Sequence, residues 1–216
     1  MHTGLLWHRL SGGGAFSVAE MLAYPLVLGG ANILLILLLD RFLLKAPRRS
    51  FSPGPGSATG DLGWGIALLA AYFLLMAVER AVLGAWLPGG KPLSPELMNL
   101  LRGLARDPLL LTLWLGPVLW VGVALFEETA RVFTLKTLWG IRDSAAWRGG
   151  VIVAFAVLFG VAHLYQGWIG VVTTGVQAVV SGLFYLRFRR LGPLVWAHGL
   201  FDGIQVVQLV VLLRQA

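Results

Sequence analysis

Long apolar runs, each ended by charged or turn-forming residues, dominate the pattern of this chain. Met21–Leu39 and Trp64–Leu87 each reach the roughly 20 residues that a helix needs to cross the hydrocarbon of a bilayer. A third run extends from Leu109 to about Trp139, and the last covers Pro193–Leu213, with its proline in the first helical turn. The pattern predicts a membrane-spanning helix for each of these runs.

The stretch between Arg148 and Arg187 contains no residue with a fixed charge. As one helix of about 38 residues it would be roughly 57 Å long, nearly twice the thickness of the hydrocarbon core. It must therefore form two helices, and we predict a turn near Tyr165-Gln166-Gly167. The pattern as a whole predicts an all-α fold, a polytopic transmembrane helix bundle of about six spans.

Two segments between the spans have different patterns. Pro47–Gly63 is rich in proline, glycine and serine and has no apolar period, which predicts a flexible loop. After a helix-start signal at Ser94-Pro95-Glu96, leucines recur at helical spacing; they are Leu97, Leu100, Leu101 and Leu104. This pattern predicts an amphipathic helix at the membrane interface.

Composition agrees with a membrane protein and excludes other classes. With 57% hydrophobic and 12% charged residues, a chain of 216 residues cannot cover a soluble globule with polar surface. The net charge of +7 comes from basic residues in short loops, as the positive-inside rule expects, and no basic face indicates nucleic-acid binding. The absence of cysteine excludes disulfides and a cysteine nucleophile. We expect an integral, multi-pass membrane protein that does not bind nucleic acid.

Polar side chains that can act in catalysis lie within the apolar runs, and each belongs to or follows a pair of residues spaced by one helical turn. The pairs are Glu127 with Arg131, Phe159 with His163, and His198 with Asp202, and Glu128 follows Glu127 directly. Residues four apart project from the same helix face, so each of three helices offers one inward stripe. Ionisable groups at membrane depth usually line a bundle interior or a wet cavity, which makes these residues the candidate site. Gly199 and Gly203 are predicted to let another helix approach closely.

Each residue also has a structural explanation. Glu127 or Glu128 with Arg131 could be an ion pair alone, and a lone membrane histidine such as His163 is more often an interhelical hydrogen bond than a ligand. Phe159 alone fits core or lipid packing. For the cluster to be purely structural, all these explanations would have to be true at once for six polar residues on three helices. One shared role is the simpler explanation, so the pattern favours a functional site.

The three spaced motifs resemble, in order, those of the CAAX protease and bacteriocin-processing (CPBP) family, which includes the Ras-converting CAAX endopeptidases. The motifs are Glu127-Glu128-Thr129-Ala130-Arg131 (EExxxR), Phe159-Gly160-Val161-Ala162-His163 (FxxxH) and His198-Gly199-Leu200-Phe201-Asp202 (HxxxD). The resemblance covers Leu109–Leu213. We therefore divide the chain into an N-terminal membrane region at 1–108, with two spans and the interfacial helix, and a CPBP-like catalytic core at 109–216, within one structural domain.

The resemblance implies hydrolysis of a peptide bond in a membrane-associated substrate, which could be CAAX-like or a leader peptide. Glu127 would be the general base that takes a proton from water, and His163 would orient that water. His198 and Asp202 would line the position of the developing oxyanion. The choice of Glu127 over Glu128 as the base rests only on position in the motif.

Arg131 would hold Glu128, and Phe159 would support the site. Asp202 is a departure, because the eukaryotic members have asparagine there. An ionised aspartate cannot donate to an oxyanion, so Asp202 would be protonated, orient His198, or bind a metal together with His163, His198 and a glutamate. The favoured glutamate mechanism requires no cofactor. Zinc, which would make the protein a metalloprotease, is the alternative, although the spacing matches no familiar zinc motif.

Other functions stay open at this point. The main alternative is a non-proteolytic membrane regulator that uses the polar cluster as structural glue, and another is a small proton-coupled transporter. The expected partner of a protease is a membrane-embedded or lipidated peptide or protein; the oligomeric state stays open. Short loops without an extra domain are typical of prokaryotic members, so we expect a location in a prokaryotic plasma membrane.

Overall fold

The computed structural model describes residues 17–43, 57–84, 86 and 95–215, and the regular elements within these ranges are all helical. The α-helices are α1 (Val18–Leu38), α2 (Ala58–Leu83), α3 (Pro95–Arg106), α4 (Pro108–Leu113), α5 (Phe126–Trp139), α6 (Ala145–Ala162), α7 (Gly167–Phe188) and α8 (Gly192–Gln215). A π-helical segment, Leu39–Leu43, extends α1, and another, Trp114–Leu125, joins α4 to α5. A 3₁₀ turn, Leu164–Gln166, connects α6 to α7. The predicted all-α fold is confirmed.

Within the described ranges, six helical stretches are long and apolar enough to cross a membrane. They are Leu22–Phe42, Ala58–Leu83, Pro108–Trp139, Ala145–Ala162, Leu164–Phe188 and Gly192–Gln215. Large apolar side chains such as Leu74, Val157 and Leu212 remain exposed on their outer faces, as expected of surfaces that face lipid. The protein is therefore an integral, multi-pass membrane protein with the predicted number of spans.

The second span begins earlier than predicted, because α2 already starts inside the expected loop Pro47–Gly63. The Ser57 side chain accepts a hydrogen bond from the backbone N–H of Gly60 and caps the helix. Residues 47–56 of that loop lie outside the described ranges. In the first turn of α2, Asp61 accepts a hydrogen bond from Arg190 Nε at 2.5 Å, which joins this turn to the α7–α8 connection. That hydrogen bond raises the pKa of Arg190 above its ordinary value.

The third span is not one regular helix. Its backbone leaves helical geometry at Gly116 (φ −88°, ψ −111°), directly before Pro117, and continues as a π-helix to Leu125. Contact with a proline ring disfavours helical conformations in the preceding residue. A straight helix of 32 residues would be about 48 Å long, so the break lets this span fit a thinner hydrocarbon layer. Regular α-helix resumes at Phe126, immediately before the two glutamates.

The long charge-free stretch forms two helices, and the predicted turn is confirmed. α6 ends at Ala162, and His163 follows with φ −94° and ψ 13°. Gly167 has a φ of 83°, which favours glycine, and α7 begins there. The turn places His163 at a helix end, where its ring lies beside the chain reversal.

The predicted amphipathic helix is α3, and the leucines of its apolar face pack against protein. Leu100 is 1% exposed and Leu104 is 0% exposed. Both pack with Trp114 and Val118 of the π-helical segment and with Val210 of α8. α3 lies against α8 and buries its apolar stripe there, and its location at the membrane interface stays a prediction.

The larger core lies among α2, α5, α6, α7 and α8. Within it, the Tyr72 hydroxyl lies 2.6 Å from Ser181 Oγ, and the Tyr72 ring meets Phe201 edge-on at 5.9 Å. The first of these contacts joins α2 to α7 and the second joins α2 to α8. The predicted division of the chain at residue 108 stays a prediction.

Candidate active site

The two glutamates of the EExxxR motif lie in the first turn of α5 and face the protein interior. Glu127 is 8% exposed and Glu128 is 1% exposed. The side chains are neighbours in sequence, yet α5 directs them to different partners. This difference is the main feature of the site.

Glu128 is held from two sides. Arg131 Nη1 forms a short ion pair with both of its carboxylate oxygens, and His198 Nδ1 lies 2.8 Å from Glu128 Oε1. Arg131 is itself buried, with its guanidinium carbon 4.7 Å from the centroid of the Phe159 ring. Buried charges persist only with such partners, so Glu128 ties α5 to α8 and balances the charge of Arg131.

Glu127 has far fewer contacts than its neighbour. Among the described residues, its buried Oε2 atom has no hydrogen-bond partner, and His198 Nε2 lies 3.8 Å away. Buried polar atoms are almost always hydrogen-bonded to protein or to ordered water. A water molecule or a ligand would therefore complete the hydrogen bonding of Glu127 Oε2.

The imidazole of His198 lies at the centre of the cluster. An ionised Glu128 can only accept, so the Nδ1 atom of His198 carries a hydrogen and donates it. The Nε2 atom then faces the other two carboxylates, Asp202 Oδ2 at 3.4 Å and Glu127 Oε2 at 3.8 Å. The Asp202 side chain is 31% exposed, against 13% for His198, so the cluster is most accessible on the Asp202 side.

His163 joins the cluster through aromatic rings. Its Nδ1 atom lies 2.7 Å from the backbone carbonyl oxygen of Phe159, one turn earlier, and donates to it. In the neutral ring Nε2 is then an acceptor. The Phe159 ring lies 4.6 Å from the His163 ring and also beneath Arg131. Phe159, predicted as a supporting residue, thus contacts both neighbouring motifs.

Sequence reasoning treated Tyr165 only as part of a turn, although it belongs to the site. Its ring centroid is 5.8 Å from that of His163, and its hydroxyl accepts a hydrogen bond from Gln166 Nε2 at 2.8 Å. The phenol is close enough to Glu127 and Asp202 to interact electrostatically with both. Its position two residues after His163, at a predicted chain reversal, was the available signal.

Gly199 allows the close helix approach that the sequence predicted. A Cβ atom built at Gly199 would lie 2.6 Å from the Trp120 ring, whereas one at Gly203 would lie 3.3 Å from a Leu119 methyl group. The approaching element is the π-helical segment. The Trp120 ring therefore packs directly beside the backbone that carries His198.

The metal set suggested by the sequence, His163, His198 and Asp202, does not form a ligand cluster. Across the part of the chain that the structure describes, no three His, Asp or Glu side chains are arranged to hold a metal ion. Both histidines use Nδ1 for hydrogen bonds, to Phe159 and to Glu128, so Nε2 is the ring atom of each that a metal could take. The zinc alternative stays a prediction.

Fold and site together define a polytopic helical membrane protein with a carboxylate–histidine cluster inside the bundle. Residues 109–204 match the family described as type II CAAX prenyl endopeptidase Rce1-like, and this segment contains all three motifs. The resemblance to the CPBP family is thereby confirmed over that segment, and the match supports intramembrane protease activity of the CAAX type. Comparisons with curated proteins and with solved structures give no match.

Proposed function

We propose that this protein is an intramembrane endopeptidase in which Glu127 activates water to hydrolyse a peptide bond. The contrast between the two glutamates carries the proposal: Glu128 is engaged by Arg131 and His198, whereas Glu127 keeps a buried oxygen without a hydrogen-bond partner among the described residues. A general base must reach the proton that it removes within hydrogen-bond distance. Of the two carboxylates, only that of Glu127 has an oxygen available for water.

The reaction uses protein groups and water. A water molecule on Glu127 Oε2 gives its proton to the carboxylate while its oxygen adds to the carbonyl carbon of the scissile bond. The resulting oxyanion accepts a hydrogen bond from the Nε2–H of His198, whose ring is held by Glu128. The proton then passes from Glu127 to the leaving nitrogen, the C–N bond breaks, and a carboxylic acid and an amine are released.

Asp202 has a role in this scheme without donating a hydrogen bond. Its ionised carboxylate, 3.4 Å from His198 Nε2, stabilises the protonated imidazole that donates to the oxyanion. Aspartate in place of asparagine is therefore compatible with catalysis. His163 orients the attacking water, and Arg131 with Phe159 keeps Glu128 in place.

The proposed substrate follows from the matching family, type II CAAX prenyl endopeptidase Rce1-like. A lipidated peptide would reach a buried site from within the bilayer. We propose a membrane-embedded or lipidated peptide or protein as substrate, with CAAX-like and leader-peptide sequences as the two classes to test. The proposed location is a prokaryotic plasma membrane.

The experiment is peptide cleavage in liposomes, read by mass spectrometry, with wild type and Glu127→Gln. Prenylated CAAX peptides and a library of membrane-embedded helical peptides serve as substrates. The matched control is Glu79→Gln, the same change at another glutamate within a span, whose carboxylate accepts a hydrogen bond from Thr173 Oγ1 at 2.7 Å.

We expect defined products from wild type and from Glu79→Gln, and none above background from Glu127→Gln. If all three folded proteins behave alike on every substrate, the proposal fails. The polar cluster would then only hold the helices together, as expected of a non-proteolytic regulator.

A further inference from the structure

Three arginines converge at one end of the bundle, away from the carboxylate–histidine cluster. Arg102 and Arg106 of α3 and Arg214 of α8 line a cleft of about 340 Å³, together with Ala105 and Leu213. All three arginine side chains are exposed. This arginine cleft takes no part in the proposed reaction.

The cleft is a consequence of the packing of α3 on α8. The apolar face of α3 is buried, with Leu104 0% exposed, whereas Arg102 and Arg106 of the same helix are exposed. From α8, Arg214 Nε donates a hydrogen bond to the backbone carbonyl oxygen of Ala105 at 2.8 Å. That bond fixes the guanidinium on the end of α3 and leaves its two terminal amino groups for another partner.

Within the part of the chain that the structure describes, no carboxylate neutralises the charge of the cleft. In the described ranges, none of the three arginines forms an ion pair with a carboxylate. Asp107, next to Arg106, uses its carboxylate to cap α4 by accepting from the N–H of Leu109 at 2.8 Å. Cations in the last turn of a helix are favourable singly, but three close together repel one another. An anion in the cleft would relieve that repulsion.

The cleft lies where spans leave the membrane. α2 packs along α8, and Asp61 at the start of α2 pairs with Arg190 just before α8, so the two helices run in the same direction. The cleft is therefore at the end of the bundle opposite that ion pair. Leu213 belongs to the last membrane-crossing stretch, so the cleft adjoins the level of the lipid headgroups.

We propose that the arginine cleft binds the phosphate of an anionic lipid headgroup. Guanidinium groups bind phosphate oxygens in bidentate fashion, and basic pockets between helices at a membrane surface suit such headgroups. Ala105 and Leu213 give the cleft an apolar wall for the glycerol and the upper acyl chain. A volume of about 340 Å³ lies within the range of small-ligand sites, roughly 300–1,000 Å³.

The test uses the full chain, purified in a neutral detergent and titrated with phosphatidylglycerol, phosphatidylcholine or inorganic phosphate. Native mass spectrometry counts bound lipid, and thermal unfolding reports stabilisation by each ligand. The variants are Arg102→Gln combined with Arg106→Gln and, as the matched control, Arg80→Gln. Arg80 is an exposed arginine in the last turn of α2, at the same end of the bundle.

We expect saturable phosphatidylglycerol binding by wild type and by Arg80→Gln, and affinity reduced by roughly tenfold or more in the double variant. Equal binding of phosphatidylcholine, unchanged binding by the double variant, or an equal loss in Arg80→Gln would overturn the site. Inorganic phosphate that binds as tightly as the lipid would overturn the lipid as the source of the phosphate. These readouts do not depend on peptidase activity, so they stand apart from the test of the proposed function.

Discussion

Replacing Glu128 by glutamine should destabilise the protein, whereas the same change at Glu127 should leave its stability nearly unchanged. Glu128 is 1% exposed and is bound by Arg131 and His198. Its neutralisation leaves the buried guanidinium of Arg131 without a counter-charge. Glu127 loses only a 3.8 Å contact with His198.

The magnitudes follow from these contacts. Removing one partner of a buried ion pair costs about 3–5 kcal/mol. Glutamine keeps one accepting oxygen, so we expect the lower end, about 3 kcal/mol, for Glu128→Gln. For Glu127→Gln we expect a change of less than about 1 kcal/mol, since no hydrogen bond of Oε2 within the described chain is lost.

Unfolding by sodium dodecyl sulfate, followed through the fluorescence of the nine tryptophans, measures both variants against wild type. Glu128→Gln combined with Arg131→Gln completes a double-mutant cycle, and the double variant should lose less than the sum of the two single changes. If Glu127→Gln unfolds as early as Glu128→Gln, or Glu128→Gln unfolds like wild type, the assignment of the two glutamates is refuted.

Three further predictions concern packing, a buried hydrogen bond and metal. Gly199→Ala drives a methyl group into the Trp120 ring and should cost about 1–3 kcal/mol of stability, whereas Gly203→Ala should cost clearly less; similar unfolding midpoints would argue against this close approach. Tyr72→Phe removes the 2.6 Å contact with Ser181 and should cost about 1 kcal/mol, and a variant as stable as wild type would show that this hydroxyl pair contributes nothing. Protein freed of metal by chelation, and verified by elemental analysis, should keep its peptidase activity; activity that is lost on chelation and restored by zinc would contradict a mechanism in which Glu127 activates water without a metal.

The spans were predictable because the bilayer sets the length of an apolar helix. A charge-free stretch of about 38 residues cannot cross once, so its division near Tyr165 followed from length alone. The candidate residues were also predictable as a group, because spacing by one turn places them on inward faces. The hydrophobic pattern is less informative about where a helix begins or ends. Because Ser57 caps α2, this helix begins inside the segment that was expected to be a loop.

The sequence could not predict which of Glu127 and Glu128 contacts Arg131 and His198 and which keeps an oxygen without a partner among the described residues. Adjacent residues point about 100° apart on a helix, and which one meets Arg131 and His198 depends on how α5 is rotated against α8. The break at Gly116 and the π-helical segment lie between the start of this span and α5. The sequence placed Tyr165 in a turn but did not predict its place in the site, because a tyrosine in a turn has no pattern that marks it as a site residue.

The central claim is that Glu127 is the base that activates water. It is tested most directly by the cleavage rates of wild type, Glu127→Gln and Glu128→Gln on the same peptide in liposomes, each normalised to folded protein. Loss of a general base should lower the rate of Glu127→Gln by about 10²–10⁴-fold at unchanged stability. Folded Glu127→Gln that cleaves within a few-fold of the wild-type rate would contradict the account.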